Sequence, residues 1–340
     1  MTGGRPAPVQ VLPVTGIGEV TEGADLGALL TAAADPADGD ILLVTSKVLS
    51  KAEGRVVAGD KSTALAGETD RVVARRGPTT IVRTRHGLVM AGAGVDSSNT
   101  AAGTVLLLPV DPDASARSLR EAVRAGTGRN VAVLVTDTAG RAWRTGQTDI
   151  AIGAAGLEVV LDYAGRADGY GNVLTVTAPA VADELAAAAD LVKGKLGRCP
   201  AAIVRGLSDL VLPAGTHGPG ARALARDEED DLFGYGAREA VLRAGLGRAA
   251  DLRGFGRPVD VGDLLPLLQE AAGPGAVLAS DTSTSAEAAL VALTAGDDRS
   301  LGRAEARVAA VAFAHGWLRV AAEESGHAHG TVLRFRRNTP

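Results

Sequence analysis

With 340 residues, 46% of them hydrophobic, the chain is long enough to fill two cores, although 3% aromatic content means those cores are built mainly from Ala, Val and Leu. Its net charge of −5 lacks the basic footprint of a nucleic-acid-binding protein, which leaves only a local basic patch for such a role. The single cysteine, Cys199, excludes an internal disulfide and any cysteine-based zinc cluster.

The opening, MTGGRPAPVQ, has no apolar signal-peptide core. No apolar run approaches the ~20 residues of a membrane span, so a soluble, cytoplasmic protein without membrane contact is expected. The stretch DILLVTSKVLS (40–50) opens as a buried strand and then turns polar. A strand at 104–108 follows, ending near Pro109. Asp111 before Pro112 is an N-cap followed by proline in the first turn, and Gly126 can end the helix it starts. A strand at 131–135 then delivers Asp137 at its carboxyl end, so 104–137 reads as a β-α-β unit.

A second helix is predicted over 178–197, where Val181, Leu185, Ala188, Val192 and Leu196 share one face. AAIVRGL after it reads as a short strand. The acidic run Asp227 to Asp231 reads as a solvated loop and helix start, or as part of a flap over a site. Beyond about 254 the pattern is that of a small α+β domain, with helices near 261–272, 284–294 and 302–324 and apolar runs at 276–279 and 331–335.

Four stretches carry polar groups beyond what turns require. In VTSKVLSKAEGR (44–55), Thr45, Ser46, Lys47, Lys51 and Arg55 suit a polyphosphate, or line an ordinary amphipathic element. In HGLVMAGAGVDSSNT (86–100), Asp96 and Asn99 offer a carboxylate and an amide to a metal or phosphate ester, or form an Asx-turn. In LVTDTAGRAWRTGQTDIAIG (134–153), Asp137 and Thr138 are hard oxygen donors of the kind Mg²⁺ or Mn²⁺ prefers, and Arg141 and Arg144 can grip an anion. Gln147, Thr148 and Asp149 add contacts, and Trp143 is expected to pack beneath the loop. Lys193, Lys195 and Arg198 in VKGKLGRCP sit where a helix end favours cations anyway. Two carboxylates ~4 Å apart repel by about 4 kcal/mol at an effective dielectric near 20. A cleft holding Asp96, Asp137 and a polyphosphate therefore needs divalent cations. The sequence contains no G-x-x-x-x-G-K-[ST] loop.

Five stretches, GDILLVTSKVLSKAEGR, IVRTRHGLVMAGAGVDSSNT, LLLPVDPDASARSLR, VTDTAGRAWRTGQTDIAIGAAGL and VADELAAAADLVKGK, together resemble the coenzyme F420-0:L-glutamate ligases. They run in the same order over about residues 9–245. The resemblance implies an α+β (mixed α/β) ligase fold without a P-loop over 9–245; a linker at 246–254 and the small C-terminal α+β domain at 255–340, read from the pattern above, complete the expected organisation. The resemblance also implies a GTP-dependent enzyme that adds L-glutamate to coenzyme F420-0 through an acyl phosphate, extends a γ-linked tail, needs Mg²⁺ or Mn²⁺ and forms homodimers. Carried over by position, metal ligands fall on Asp96, Asp137 and Thr138, with Asp96 and Asp137 catalytic. Nucleotide contacts fall on Ile17, Gly18, Glu19, Val20, Ser46, Lys51, Asn99, Lys193, Gly194 and Lys195. The family's usual L-P-E is here Ile17-Gly18-Glu19. Residues 255–340 are shorter than the flavin-binding reductase domain some members carry and match none of its motifs, so no flavin is expected. A ligase acting on another phosphorylated acceptor, and a non-catalytic GTP- or F420-binding protein, are the alternatives.

Overall fold

The structure, a computed structural model, describes residues 8–280 and 285–338; the opening MTGGRPA, on which the signal-peptide reading rests, lies outside them. The chain divides into two compact units, 1–225 and 226–340.

The first unit begins with β1 (Gln10–Val14), α1 (Leu26–Ala34), β2 (Ile41–Thr45), α2 (Ser46–Ala52), β3 (Val56–Ala58) and α3 (Lys61–Glu68). Next come β4 (Thr69–Arg76), β5 (Thr79–Thr84), β6 (Val89–Ala91), β7 (Thr104–Leu106) and α4 (Pro112–Thr127). It ends with β8 (Ala132–Gly140), β9 (Gln147–Ala155), α5 (Val181–Lys193) and β10 (Ala201–Arg205).

Five strands form the main sheet in the order β1-β10-β2-β8-β9. Only β2 and β8 pair in parallel, Ile41 opposite Ala132 through Thr45 opposite Thr136. Strand β2 is buried on both faces, which explains its unbroken apolar run. Its Leu42 and Val44 join the core under α1 and α4, while Ile41 and Leu43 join the core under α5. The result is a sheet between two helical layers. A smaller assembly, the β3-β7 pair and the β4-β5-β6 sheet, packs around Val82, Val95, Val105 and Leu107.

Two expectations change here. The strand at 104–106 is not the parallel neighbour of β8; it pairs antiparallel with β3, and β2 takes that place. Nearness in sequence misled, because the parallel partner lies far upstream. Helix α4 runs past Gly126 to Thr127, and Gly128 ends it at φ 73°. Gly126 instead faces α1, where an added Cβ would lie 3.3 Å from Thr31 Cγ2. At α4's other end the Asp111 carboxylate caps Ala114 N–H at 2.9 Å, as its spacing before Pro112 predicts.

The second unit contains α6 (Ala237–Leu246), α7 (Val261–Ala272), β11 (Ala276–Ser280), β12 (Ala288–Ala295), α8 (Asp298–Ala314), β13 (Trp317–Glu324) and β14 (Gly330–Arg337). Its antiparallel sheet, β11-β12-β14-β13, buries Val291, Leu293, Leu333 and Phe335 with Leu264 and Leu268 of α7 and Val308 of α8. In place of the helix expected at 284–294 the chain forms strand β12, from Ala288 to Ala295. Its apolar residues satisfy either period, and the strand buries Ala289, Val291 and Leu293 in strict alternation. The helix expected over 302–324 stops at Ala314; Gly316, at φ 83° and with no room for a Cβ beside Pro258, turns the chain into β13. The linker expected at 246–254 is replaced by a 3-10 segment, Ala249–Phe255, that buries Leu252 inside this unit. The acidic run 227–231 belongs to it too, with Glu229 paired to Arg253 and Asp230 to Arg257.

Candidate active site

The stretch 134–153 is a β-hairpin, not a strand followed by a loop. Strand β8 continues to Gly140 because β9 pairs along it, setting Thr138 opposite Asp149 and Gly140 opposite Gln147. Polar residues therefore project from regular strands. Arg141 closes the tip by donating to the Thr145 carbonyl at 2.9 Å. Trp143 stands at that tip 89% exposed, so it does not pack beneath the hairpin.

Strand β2 ends at Thr45, and α2 begins at once with Ser46 and Lys47. The two side chains tie together carboxylates from distant parts of the chain. Ser46 Oγ donates to Asp137 Oδ1 at 2.8 Å. Lys47 Nζ donates to Asp96 Oδ2 and, at 2.8 Å, to Ser98 Oγ. Asp96 is held by a backbone bridge to Leu106, and its carboxylate accepts the Ser98 N–H at 2.8 Å. The Asx-turn reading of VDSSN is thus met, and the same carboxylate also carries the Lys47 pair.

The two carboxyls sit in opposed environments. Burial pushes Asp96 up, but the bond from Lys47, the two from Ser98 and the Lys47 charge outweigh it and bring it to about 2. Asp137 is driven the other way, to about 6, by burial first and by the charge of Asp149, with Ser46 and Lys47 opposing. Among the described residues Asp137 makes no ion pair, and its hydroxyl donor is Ser46.

Behind Asp137 lies a buried network. Asp149 accepts from Thr138 Oγ1 at 2.8 Å, from Thr136 Oγ1 at 3.0 Å and from Lys193 Nζ at 2.7 Å. Burial disfavours the Asp149 charge, but the Lys193 ammonium and the three donated bonds hold the carboxyl below its ordinary value. The side chains of Lys193 and Asp149 are only 4% and 5% exposed, so Lys193 faces this carboxylate and not the surface. Spacing announced it: Ala182, Ala186, Ala189 and Lys193 recur at three or four residues on the buried face of α5. Lys195, by contrast, is exposed and donates to Thr138 Oγ1 at 2.5 Å.

The Ile17–Val20 segment is split by burial. Ile17 and Val20 sit in the core, while Gly18 and Glu19 face outward. Lys51 Nζ binds Glu19 at 2.6 Å, and this bond with the Lys51 charge, aided by Arg198, lowers the Glu19 carboxyl. Lys51 of α2 and Arg198 of the 193–200 stretch thus both act on Glu19 of this segment. Asn99 is exposed at φ 56° in the loop after Asp96, and Gly194 ends α5 at φ 59°. Lys47 and Asp149 are central to the geometry; both stand in the polar stretches noted in the sequence, but the resemblance assigns a role to neither.

In chemical type the three candidate donors are those a hard divalent cation takes. Asp96, Asp137 and Thr138 supply two carboxylates and a hydroxyl, and Mg²⁺ characteristically takes one or two carboxylates with waters and phosphates completing its shell. No three His, Cys, Asp or Glu side chains form a closed cage among the described residues. A groove of about 520 Å³ lies elsewhere, lined by Asp25, Glu53, Asp111 and Ser115 among others, and none of the candidate residues lines it.

The profile of the family described as F420-0:Gamma-glutamyl ligase matches residues 16–66 and 60–206, which contain every element of this site. The chain belongs to that family. It is similar to the coenzyme F420:L-glutamate ligase of Archaeoglobus fulgidus, 37% identical over 247 residues that cover 66% of this chain and 96% of the relative. The ligase of that name from Methanopyrus kandleri is 40% identical over 253 residues, covering 68% of this chain and 99% of the relative. That from Natronomonas pharaonis is 38% identical over 259 residues, 68% of this chain and 96% of the relative. About a third of this chain thus lies outside each alignment. As a member of the F420-0:gamma-glutamyl ligase family the protein is a ligase, and its mixed α+β architecture accords with the family. No helix among the described residues is long and apolar enough to cross a membrane.

Proposed function

We propose that this protein joins L-glutamate to coenzyme F420-0 by an amide bond at the expense of GTP, and then extends a γ-linked glutamate tail. The observation that carries the reading is the linking of Asp137 to Ser46, of Asp96 to the adjoining Lys47 and of Thr138 to Lys195, in the part of the chain that matches ligases of this name almost end to end.

A carboxylate oxygen of the acceptor attacks the γ-phosphorus, the bond to the β-phosphate oxygen breaks, and GDP leaves. The glutamate amine attacks the resulting acyl phosphate, the acyl C–O bond breaks, phosphate leaves, and the amine proton passes to solvent. Asp96, Asp137 and Thr138 would hold Mg²⁺ or Mn²⁺, which neutralises phosphate charge in such transfers. Lys47 positions Asp96, Ser46 positions Asp137, and the exposed Lys195 is free to turn from Thr138 to a phosphate. Lys51 and Glu19 with the exposed Gly18 and Asn99 would border the nucleotide, while the buried Val20 supports the segment from the core. The family resemblance also supports a homodimer. No flavin takes part in this reading.

GDP and phosphate release tests the proposal. Both should appear in equal amounts only when GTP, F420-0, glutamate and Mg²⁺ or Mn²⁺ are present together. Release that ignores glutamate, or F420-0, would refute it.

A further inference from the structure

Asp149 and Lys193, the latter among the residues that the resemblance assigns to the nucleotide, form an ion pair of two charges held inside the protein. A buried ion pair is weak evidence for stability, since similar apolar residues often serve as well. Its placement gives it another use. Asp149 faces Thr138 directly across the hairpin, in a register fixed by the irregularity between Val135 and Thr136. Its Oδ1 accepts a hydrogen bond from Thr138 Oγ1 at 2.8 Å, and its Oδ2 accepts one from Thr136 Oγ1 at 3.0 Å. A threonine hydroxyl has one proton and two lone pairs. With its proton committed inward to Asp149, Thr138 Oγ1 can only accept on its outer side, where Lys195 now meets it. Lys193 keeps Asp149 in that role. It reaches from the last turn of α5, bonds both Asp149 and Thr136 at 2.7 Å, and supplies the positive charge that lets a carboxylate persist 5% exposed.

We propose that Asp149 and Lys193 are positioning residues that orient the Thr138 hydroxyl as an acceptor toward the bound cation, and that Lys193 is not a nucleotide contact. This rests on the reading of Thr138 as a metal ligand under the proposed function. The same logic explains why the two lysines of VKGK, two residues apart, part company: one is drawn under the hairpin and the other stays on its surface.

The test is Mn²⁺ binding to the substrate-free full chain, followed by the paramagnetic resonance signal of the free ion, with thermal unfolding of each variant. The variants are T138V, the doubly substituted D149L/K193M, and the three changes combined. D149L/K193M removes both buried charges together, so the net charge of the site is unchanged and only the orientation of the hydroxyl is lost. Outer-shell partners typically contribute 10–100-fold to metal affinity. D149L/K193M should therefore weaken Mn²⁺ about 10–100-fold. The combined variant should bind no more than about 3-fold more weakly than T138V alone, because orientation is irrelevant once the hydroxyl is gone. Wild-type affinity in D149L/K193M, or losses that multiply in the combined variant, would overturn the positioning role. If T138V binds like wild type, or wild type binds no Mn²⁺, the reading of Thr138 as a ligand fails first and takes this inference with it. Should D149L/K193M lose its cooperative unfolding, D149A/K193M removes the same acceptor and both charges without added bulk at 149 and carries the same outcomes.

Discussion

Replacing Asp137 by Asn should make the protein more stable at pH 8 while abolishing its ligase turnover. The Asp137 carboxyl is raised from 3.8 to about 6, chiefly by burial. The native state therefore holds this proton more tightly than the unfolded chain does. Stability is greatest below the unfolded value and falls as pH rises toward about 6, because ionisation is disfavoured only in the folded protein. At about 1.4 kcal/mol per pKa unit, the full cost of ionisation is about 3 kcal/mol, developed above roughly pH 7. At pH 4.5 only about a third of it has appeared. Asn keeps the shape and can still accept from Ser46 Oγ without carrying charge. Urea unfolding of wild type and D137N in the presence of a chelator should show a gain of about 3 kcal/mol at pH 8 and about 1 kcal/mol at pH 4.5. Turnover of the variant should fall by more than the 10–100-fold typical of outer-shell partners. A variant no more stable at pH 8 than at pH 4.5, relative to wild type, would refute the argument that this carboxylate is held against its own solvation.

Other positions give sharper contrasts between fold and site. K47M should leave unfolding nearly unchanged, since the Lys47–Asp96 pair is about 30% exposed on each side and such pairs contribute about 0–1 kcal/mol, yet it should lower turnover at least tenfold by freeing Asp96; chemical denaturation beside a turnover assay checks both. G153A should destabilise the first unit by about 1–3 kcal/mol, because the new Cβ would lie 2.3 Å from the Pro112 carbonyl oxygen, and the midpoint of thermal unfolding reads it. D113A should cost about 3 kcal/mol, as its Oδ1 accepts the Ala154 and Ala221 N–H groups at 2.8 and 2.7 Å and both would be orphaned; urea unfolding measures it. W317A should cost the second unit about 3–5 kcal/mol, since the indole is fully buried and donates to the Val259 carbonyl at 3.0 Å, and hydrogen exchange in β13 and β14 should report that loss.

Much of the first unit was legible in the sequence where one signal dominated. The unbroken apolar run of 41–44 marked a doubly buried strand, and Asp111-Pro112 marked the start of a helix. Where two signals coincided, reading failed. AALVALTA fits a strand or a helix until the partners of both faces are known, and only pairing with β11 and β14 decides it. Of the candidate site, the polar residues stood out in the sequence and their connections did not. Asp137 and Thr138 stand in a polar stretch that draws notice, but nothing local shows that β9 will align Asp149 behind them. Lys193 misled because a lysine beside glycines reads as a surface cation, although its spacing from Ala189 and Ala186 places it on the buried face. Lys47 was visible as one cation among several; its pairing with Asp96 spans 49 residues and exists only in the fold.

The most direct measurement is mass spectrometry of F420-0 after incubation with the purified protein, GTP, Mg²⁺ or Mn²⁺ and L-glutamate. The proposed reaction predicts product heavier by one glutamate residue, and then by further such steps, with none formed when GTP or metal is withheld. F420-0 recovered unchanged, or extended equally well without GTP, would contradict it.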